Sequence, residues 1–474
     1  MNSERLSTGV PGLDAVLDGG LVSGQSYMVR GDSGTGKTIL GQQFLLAGLE
    51  AGERALYVAF EERPEAIRTR AATLGFDLSG VEFLDLTAEP DLFVEDDTYS
   101  VFTTSEVEGK PIAEEIAEAV ERVDPDRVFL DPLTRLRHVA PDDHQFHRLV
   151  SSMMRYLTDR GVTSVFSTQS TQRSPDDDLQ YLGDGTVELL DTDRGRSVRV
   201  TKFRGSGFEK GPHALTIGEG GVDVFPKLVP GDHDAAFEPK QLSTGNEGLD
   251  ALLHGGIDRG SITLISGPSG VGKSTTGSLF LQAAADRGEN AAGFLFEEPT
   301  ESFRHRAESL GIGLGDAVAD DRLRLHSLEP LRLSTDEFSN LVREEVEAHD
   351  IEVVLIDGTA GYRLSLHNEE EDLVGELHAL CRYLRNMGVT VLVTEELHDI
   401  EGTFRASDSH VSYLADTILF LRYAERNGRM EKEIGVMKRR LGGFDPTIHS
   451  LVVDDDGYRV GDPIATDSEG GSRS

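Results

Sequence analysis

The chain has 474 residues, which is too many for one ordinary core and enough for two or three domains. Its 84 acidic against 46 basic residues give a formal net charge of −38, which argues against general nucleic-acid binding but leaves a local basic site open. There is no apolar run of about 18 residues to span a membrane, and the single cysteine, Cys381, excludes an intramolecular disulfide and fits a reducing cytoplasm.

The chain has only nine lysines, and an acid-rich, lysine-poor surface suits a salt-loving organism, where dense counterions screen self-repulsion. In chain order, glycines and Asp14 between Leu6 and Leu21 predict a short helix and turn, followed by the apolar strand Ser26–Arg30. Gly31-Asp32-Ser33-Gly34-Thr35-Gly36-Lys37-Thr38 then fits G-x-x-x-x-G-K-[ST], the loop that wraps nucleotide phosphates. A helix is predicted over Ile39–Glu50, then a buried strand Arg54–Phe60 ending in Glu61 and Glu62. Helix Pro64–Leu74, strand Val81–Leu86, an acidic loop Ala88–Glu108 and helix Ile112–Val123 lead to strand Arg127–Asp131. Helix His144–Arg160, strand Val162–Thr168 and closing strands Thr186–Leu190 and Ser197–Phe203 complete the half, and Pro226–Gln241 reads as a linker.

The chain then repeats itself. Leu6–Asp14 recurs as Leu242–Asp250, and Gly267-Pro268-Ser269-Gly270-Val271-Gly272-Lys273-Ser274 is a second phosphate loop after strand Ser261–Ser266. Strand Ala291–Phe296 ends in Glu297 and Glu298, strand Ile351–Ile356 ends in Asp357, and strands Val389–Thr394, Thr417–Leu421 and Glu433–Lys438 follow. Alternating strands and helices predict an α/β fold of two tandem phosphate-loop domains, each a mainly parallel sheet flanked by helices, an arrangement that resembles RecA-like domains. The expected domains are 1–232 and 233–462, with a disordered tail over 463–474.

These residue types point to nucleotide chemistry. Lys37 and Lys273 would reach the β/γ-phosphates of ATP; Thr38 with Asp131, and Ser274 with Asp357, offer hard oxygen ligands for Mg²⁺. Glu61, Glu62, Glu297 and Glu298 could orient or deprotonate an attacking water. His144 and His147, spaced i, i+3, read as surface residues.

With both loops, both glutamate pairs, both strand-end aspartates and the Lys202-Phe203-Arg204 segment in place, the chain resembles the double-domain form of the KaiC family over about 95% of its length. The resemblance implies a cytoplasmic, homohexameric ATP hydrolase. Lys202 and Arg204, with Lys438 and Arg440 in the second half, would reach the neighbouring subunit's γ-phosphate. Leu441 departs from the first copy's Gly205. The resemblance also implies serine autophosphorylation at Ser412, although Tyr413 stands where the family's segment carries its second acceptor. A signalling or timing regulator with unidentified protein partners follows, against a DNA-dependent RecA-type motor or a non-catalytic ATP-binding scaffold.

Overall fold

The computed structural model describes residues 4–87, 105–169, 176–193, 195–232, 240–329, 333–364, 370–397, 413–426, 428–454 and 456–464. Contacts divide the chain into residues 1–226 and 227–474, ahead of the expected boundary at residue 232. Each unit is built on a nine-stranded sheet, and the two sheets share one strand order. In the first, Glu82–Asp85, Ala55–Ala59, Arg127–Asp131, Thr163–Thr168, Ser26–Gly31 and Gly185–Thr192 lie side by side in parallel. Gly195–Phe203, Pro212–Gly218 and Gly221–Phe225 continue the sheet antiparallel.

The second sheet runs Leu323–Ser327, Ala291–Leu295, Val353–Asp357, Thr390–Glu396, Ile262–Gly267 and Thr417–Arg426 in parallel. Arg429–Arg439, His449–Asp454 and Gly457–Pro463 complete it antiparallel. Both phosphate-loop strands are therefore central, with one strand between each and the strand that ends in the aspartate. Loops at the carboxyl ends of neighbouring parallel strands converge, so this order brings the phosphate loop, the glutamates and the aspartate to one rim.

The inner parallel strands Ala55–Ala59, Thr163–Thr168, Ala291–Leu295 and Val353–Asp357 are buried along their whole length because both faces are covered. In the first unit Tyr57, Phe129 and Val165 join one core layer, and Val58, Leu130 and Phe166 join the other. Helix Lys37–Glu50 covers the first layer with Leu40, Phe44 and Leu45, while helix Asp143–Asp159 covers the second with Phe146, Val150 and Leu157. Cys381 is buried in the second unit, which pushes its thiol up to about 12.

The phosphate-loop helix can approach the first sheet only because Gly41 lacks a side chain: a Cβ there would lie 2.1 Å from the Phe129 ring. At Gly277 in the second copy the nearest atom is the tip of Leu355 at 2.9 Å, which can swing aside. Gly41→Ala should therefore destabilise its domain by about 1–3 kcal/mol and Gly277→Ala by less. Thermal unfolding of the two variants measures the difference, and Phe129→Leu should restore much of the loss in the first.

Three features go beyond or against the sequence expectation. Helix Ser105–Val123 begins inside the stretch expected to be loop; residues 88–104 lie outside the described residues. The start of the expected linker is fastened to the second unit: Asn386 donates to the Pro230 carbonyl and Lys227 lies 3.5 Å from Glu376. The strand Gly457–Pro463 enters the expected tail, and Ile464 N–H donates to the Ile448 carbonyl at 2.8 Å, whereas residues 465–474 lie outside the described residues.

Candidate active site

Gly36 and Gly272, at φ 102° and 120°, turn the chain from each phosphate loop into its helix, a conformation that favours glycine. The helices begin at Lys37 and Lys273, so their first N–H groups and positive ends face the loop. The Lys37 ammonium donates to the carbonyls of Gly31 at 2.7 Å and Asp32 at 2.6 Å, and Lys273 donates to the Pro268 carbonyl at 3.0 Å. Ser33, Gly34, Ser269 and Gly270 form the exposed crests of the two loops. Inside them, Thr35 Oγ1 donates to the Asp32 carbonyl at 2.9 Å and Val271 is fully buried. Burial is the main reason that both ammonium groups lie below their ordinary value; Asp131 opposes it at Lys37, and Glu297 opposes it at Lys273. A polyanion in the loop would replace the carbonyls as partner.

Thr38 Oγ1 donates to Asp131 Oδ2 at 2.8 Å, and in the second copy the Ser274 hydroxyl favours the Asp357 anion. Each pair puts a hydroxyl and a carboxylate together beside the loop, the donor set that suits Mg²⁺ when phosphate and water supply the other oxygens. Burial holds Asp357 above its ordinary value, although hydrogen bonds from Thr394 and Ser274 and the charges of Arg306 and Lys273 favour the anion.

The sequence reading missed the residues that orient these aspartates. Ser167 Oγ donates to Asp131 Oδ1, and Thr394 Oγ1 donates to Asp357 Oδ1 at 2.7 Å, both from the strand between loop and aspartate. In the first copy only, the buried Tyr57 hydroxyl also donates to Asp131 Oδ2 at 2.7 Å; the residue 236 positions later is Gly293. Glu396, at the end of the same strand as Thr394, adds negative charge beside Lys273 and Glu297. A hydroxyl in the middle of an apolar strand gives no sequence signal by itself. The repetition of Ser167 as Thr394 was the available clue.

The glutamate pairs lie at the same rim but in different surroundings. Glu61 pairs with Arg135 at 3.0 Å and Glu62 with Arg70. Four residues past the aspartate, where the first copy has Arg135, the second has Gly361. Glu297 extends over Gly358, close enough that a Cβ on that glycine would lie 2.7 Å from its Cγ. Partial burial and then the charge of Asp357 push its carboxyl above the ordinary value; Lys273 opposes them. Glu298 pairs with Arg306, which also donates to Thr275 Oγ1 at 2.9 Å.

The second cation pairs lie elsewhere. Lys202 donates to the carbonyls of Gln180 at 2.7 Å and Gly183 at 2.5 Å, while Arg204 lies 3.6 Å from Asp184. Arg440 lies 3.4 Å from Asp416 and donates to the Tyr413 carbonyl, in the same relation to its sheet. Burial and the adjacent arginine lower both Lys202 and Lys438. Ser412 lies outside the described residues. His147 faces Asp178 at 2.6 Å, and among the described residues no cluster of three metal-ligating side chains occurs.

The family model for the KaiC ATPase matches residues 6–229 and again residues 242–464. The chain belongs to the KaiC ATPase family. Similar curated proteins include the circadian clock protein KaiC3 of Synechocystis, 27% identical over 479 residues, covering 97% of this chain and 92% of the relative. The circadian clock oscillator proteins KaiC of Prochlorococcus marinus and Synechococcus elongatus are 27% and 26% identical, covering 98% and 97% of this chain and 94% and 89% of their own lengths. In both KaiC domains one strand separates the phosphate-loop strand from the strand that ends in the aspartate, so this KaiC-family ATPase has two RecA-like phosphate-loop domains. Among the described residues, no helix is long and apolar enough to cross a membrane.

Proposed function

We propose that each half binds ATP with Mg²⁺, that hydrolysis needs a ring of subunits, here taken as a homohexamer, and that nucleotide state controls the binding of protein partners in a signalling or timing role. Sheet register carries the ring requirement. Lys202 pairs with Thr186, which is level with Met28, three residues before Gly31. At about 3.3 Å per residue, Lys202 is set back roughly 10 Å from its own phosphate loop. Lys438 pairs with Ile418, level with Leu264, three residues before Gly267. These cations lie toward the far end of the sheet from the loop of their own half, which supports the reading that the phosphate they reach belongs to another copy.

In the proposed mechanism, Lys37 or Lys273 and the helix N-terminus hold the phosphates. Glu61 or Glu297 orients the attacking water and accepts its proton, and the adjoining copy's lysine and arginine offset charge on the transferred group. Magnesium, held by Thr38 with Asp131 or by Ser274 with Asp357, would neutralise β/γ-phosphate charge. Mixing two inactive proteins tests the arrangement: Glu61→Gln and the double variant Lys202→Ala/Arg204→Ala, each also carrying Glu297→Gln to silence the second site. Mixed rings should regain phosphate release because some interfaces combine an intact glutamate with intact cations. No recovery from a mixed assembly, or full activity of the lysine-arginine variant alone, would overturn the proposal.

Serine autophosphorylation at Ser412 extends the same reading to the second domain. Incubation with γ-labelled ATP should label the wild type and the Lys37→Ala variant but neither Lys273→Ala nor Ser412→Ala. Free phosphate without labelled protein would leave the ATPase alone, and stimulation by single-stranded DNA would favour a motor instead.

A further inference from the structure

The two glutamates of each pair are adjacent in sequence, yet a repeated contact separates them. Eight residues past the second glutamate, on the helix that follows, both copies carry an arginine, Arg70 on helix Pro64–Thr73 and Arg306 on helix Thr300–Ser309. Each pairs with the second glutamate, Glu62 or Glu298. The first glutamate is left on the cleft side, where Glu297 lies over Gly358 and within electrostatic reach of Lys273 and Asp357.

The second copy adds a link. Arg306 also donates to Thr275 Oγ1, on the phosphate-loop helix and next to Ser274; the first copy has Ile39 at the corresponding position. The clamp is also more sheltered there, with Arg306 and Glu298 exposed at 36% and 23% against 61% and 43% for Arg70 and Glu62. An exposed ion pair alone contributes little. A guanidinium that bridges a carboxylate and a hydroxyl on two different elements instead fixes their separation, because its donors form a rigid fork.

We infer that Arg306 is a positioning residue for the second site: it draws Glu298 aside, leaves Glu297 as the carboxylate presented to the nucleotide, and ties the glutamate pair to the phosphate-loop helix through Thr275. Arg70 performs the first of these tasks in the first site. The inference rests on the proposed role of Glu297.

The test uses the full-length protein in a Glu61→Gln background, so that phosphate release reports the second site. Arg306→Ala should lower kcat by about 10- to 100-fold, the usual cost of a misplaced reacting group, with little change in nucleotide affinity. Arg306→Lys should recover only part, because an ammonium cannot bridge both partners, and Thr275→Val should give a smaller loss of the same kind. If Arg306 acts through Glu298, Arg306→Ala combined with Glu298→Gln should be no slower than the slower single variant. Multiplying losses, a fall confined to nucleotide affinity, or an unchanged kcat in Arg306→Ala would overturn the inference. If Arg306→Ala fails to fold, Arg306→Lys and Thr275→Val decide by the same kcat measurement. Loss of turnover in Glu297→Gln with an unaffected Arg306→Ala rejects the clamp alone, whereas an unaffected Glu297→Gln rejects the underlying mechanism.

Discussion

Lys37→Ala and Lys273→Ala should each remove one of the two nucleotides proposed for each chain. Two loop carbonyls hold the Lys37 ammonium and one holds that of Lys273, and burial makes the charge costly. Phosphate oxygens supply charged acceptors in their place, at about 1.5–3 kcal/mol for each hydrogen bond to a charged group. Loss of two such bonds would weaken binding by about two to four powers of ten. Titration calorimetry with ATP and Mg²⁺ should find a stoichiometry near two for the wild type and near one for each variant. A stoichiometry of one in the wild type would show that the loops do not bind alike, and a stoichiometry of two in both variants would show that these lysines do not hold the nucleotide.

How much of this was legible beforehand depended on whether the signal was local. The phosphate loops, glutamate pairs and strand-end aspartates are short motifs at strand ends; a shared repeat offset singles out the loops and glutamates, and placement at an apolar strand's end singles out the aspartates. Strand Arg127–Asp131 is predicted with the bounds it has in the structure, since an apolar run closed by a carboxylate leaves little choice. The closing hairpins, Pro212–Gly218 with Gly221–Phe225 and His449–Asp454 with Gly457–Pro463, were not legible. Their strands are short and mixed in polarity, and only tertiary packing reveals their role: a Cβ on Gly36 would meet Ile217 at 2.9 Å, and Gln43 exchanges hydrogen bonds with the Val222 backbone. Ser167, Tyr57 and Thr394 escaped for the same reason, because each acts on a residue distant in sequence, and so did the reach of Arg306 to Thr275.

Glu297 yields the second large effect, and its sign follows from its surroundings. Partial burial, Asp357, Glu396 and Glu298 together outweigh Lys273, so the folded carboxyl binds its proton more tightly than it does in the unfolded chain. A group raised in this way favours the fold most below its unfolded value, and that contribution is lost as pH rises through the folded value. The base needed for hydrolysis is the ionised form, so turnover should move in the opposite sense. In the Glu61→Gln background, kcat should rise with pH through a value above that of an ordinary glutamate. Glu297→Gln should abolish that limb and cost about 10²- to 10⁴-fold in rate. The same substitution should raise the unfolding temperature of the nucleotide-free second domain near neutral pH, because an amide carries no charge to be crowded by Asp357. A pH profile that is unchanged in Glu297→Gln would remove this glutamate from the reaction. A lower unfolding temperature would mean that the ionised carboxylate is stabilised where it stands, contrary to the electrostatics of the cleft.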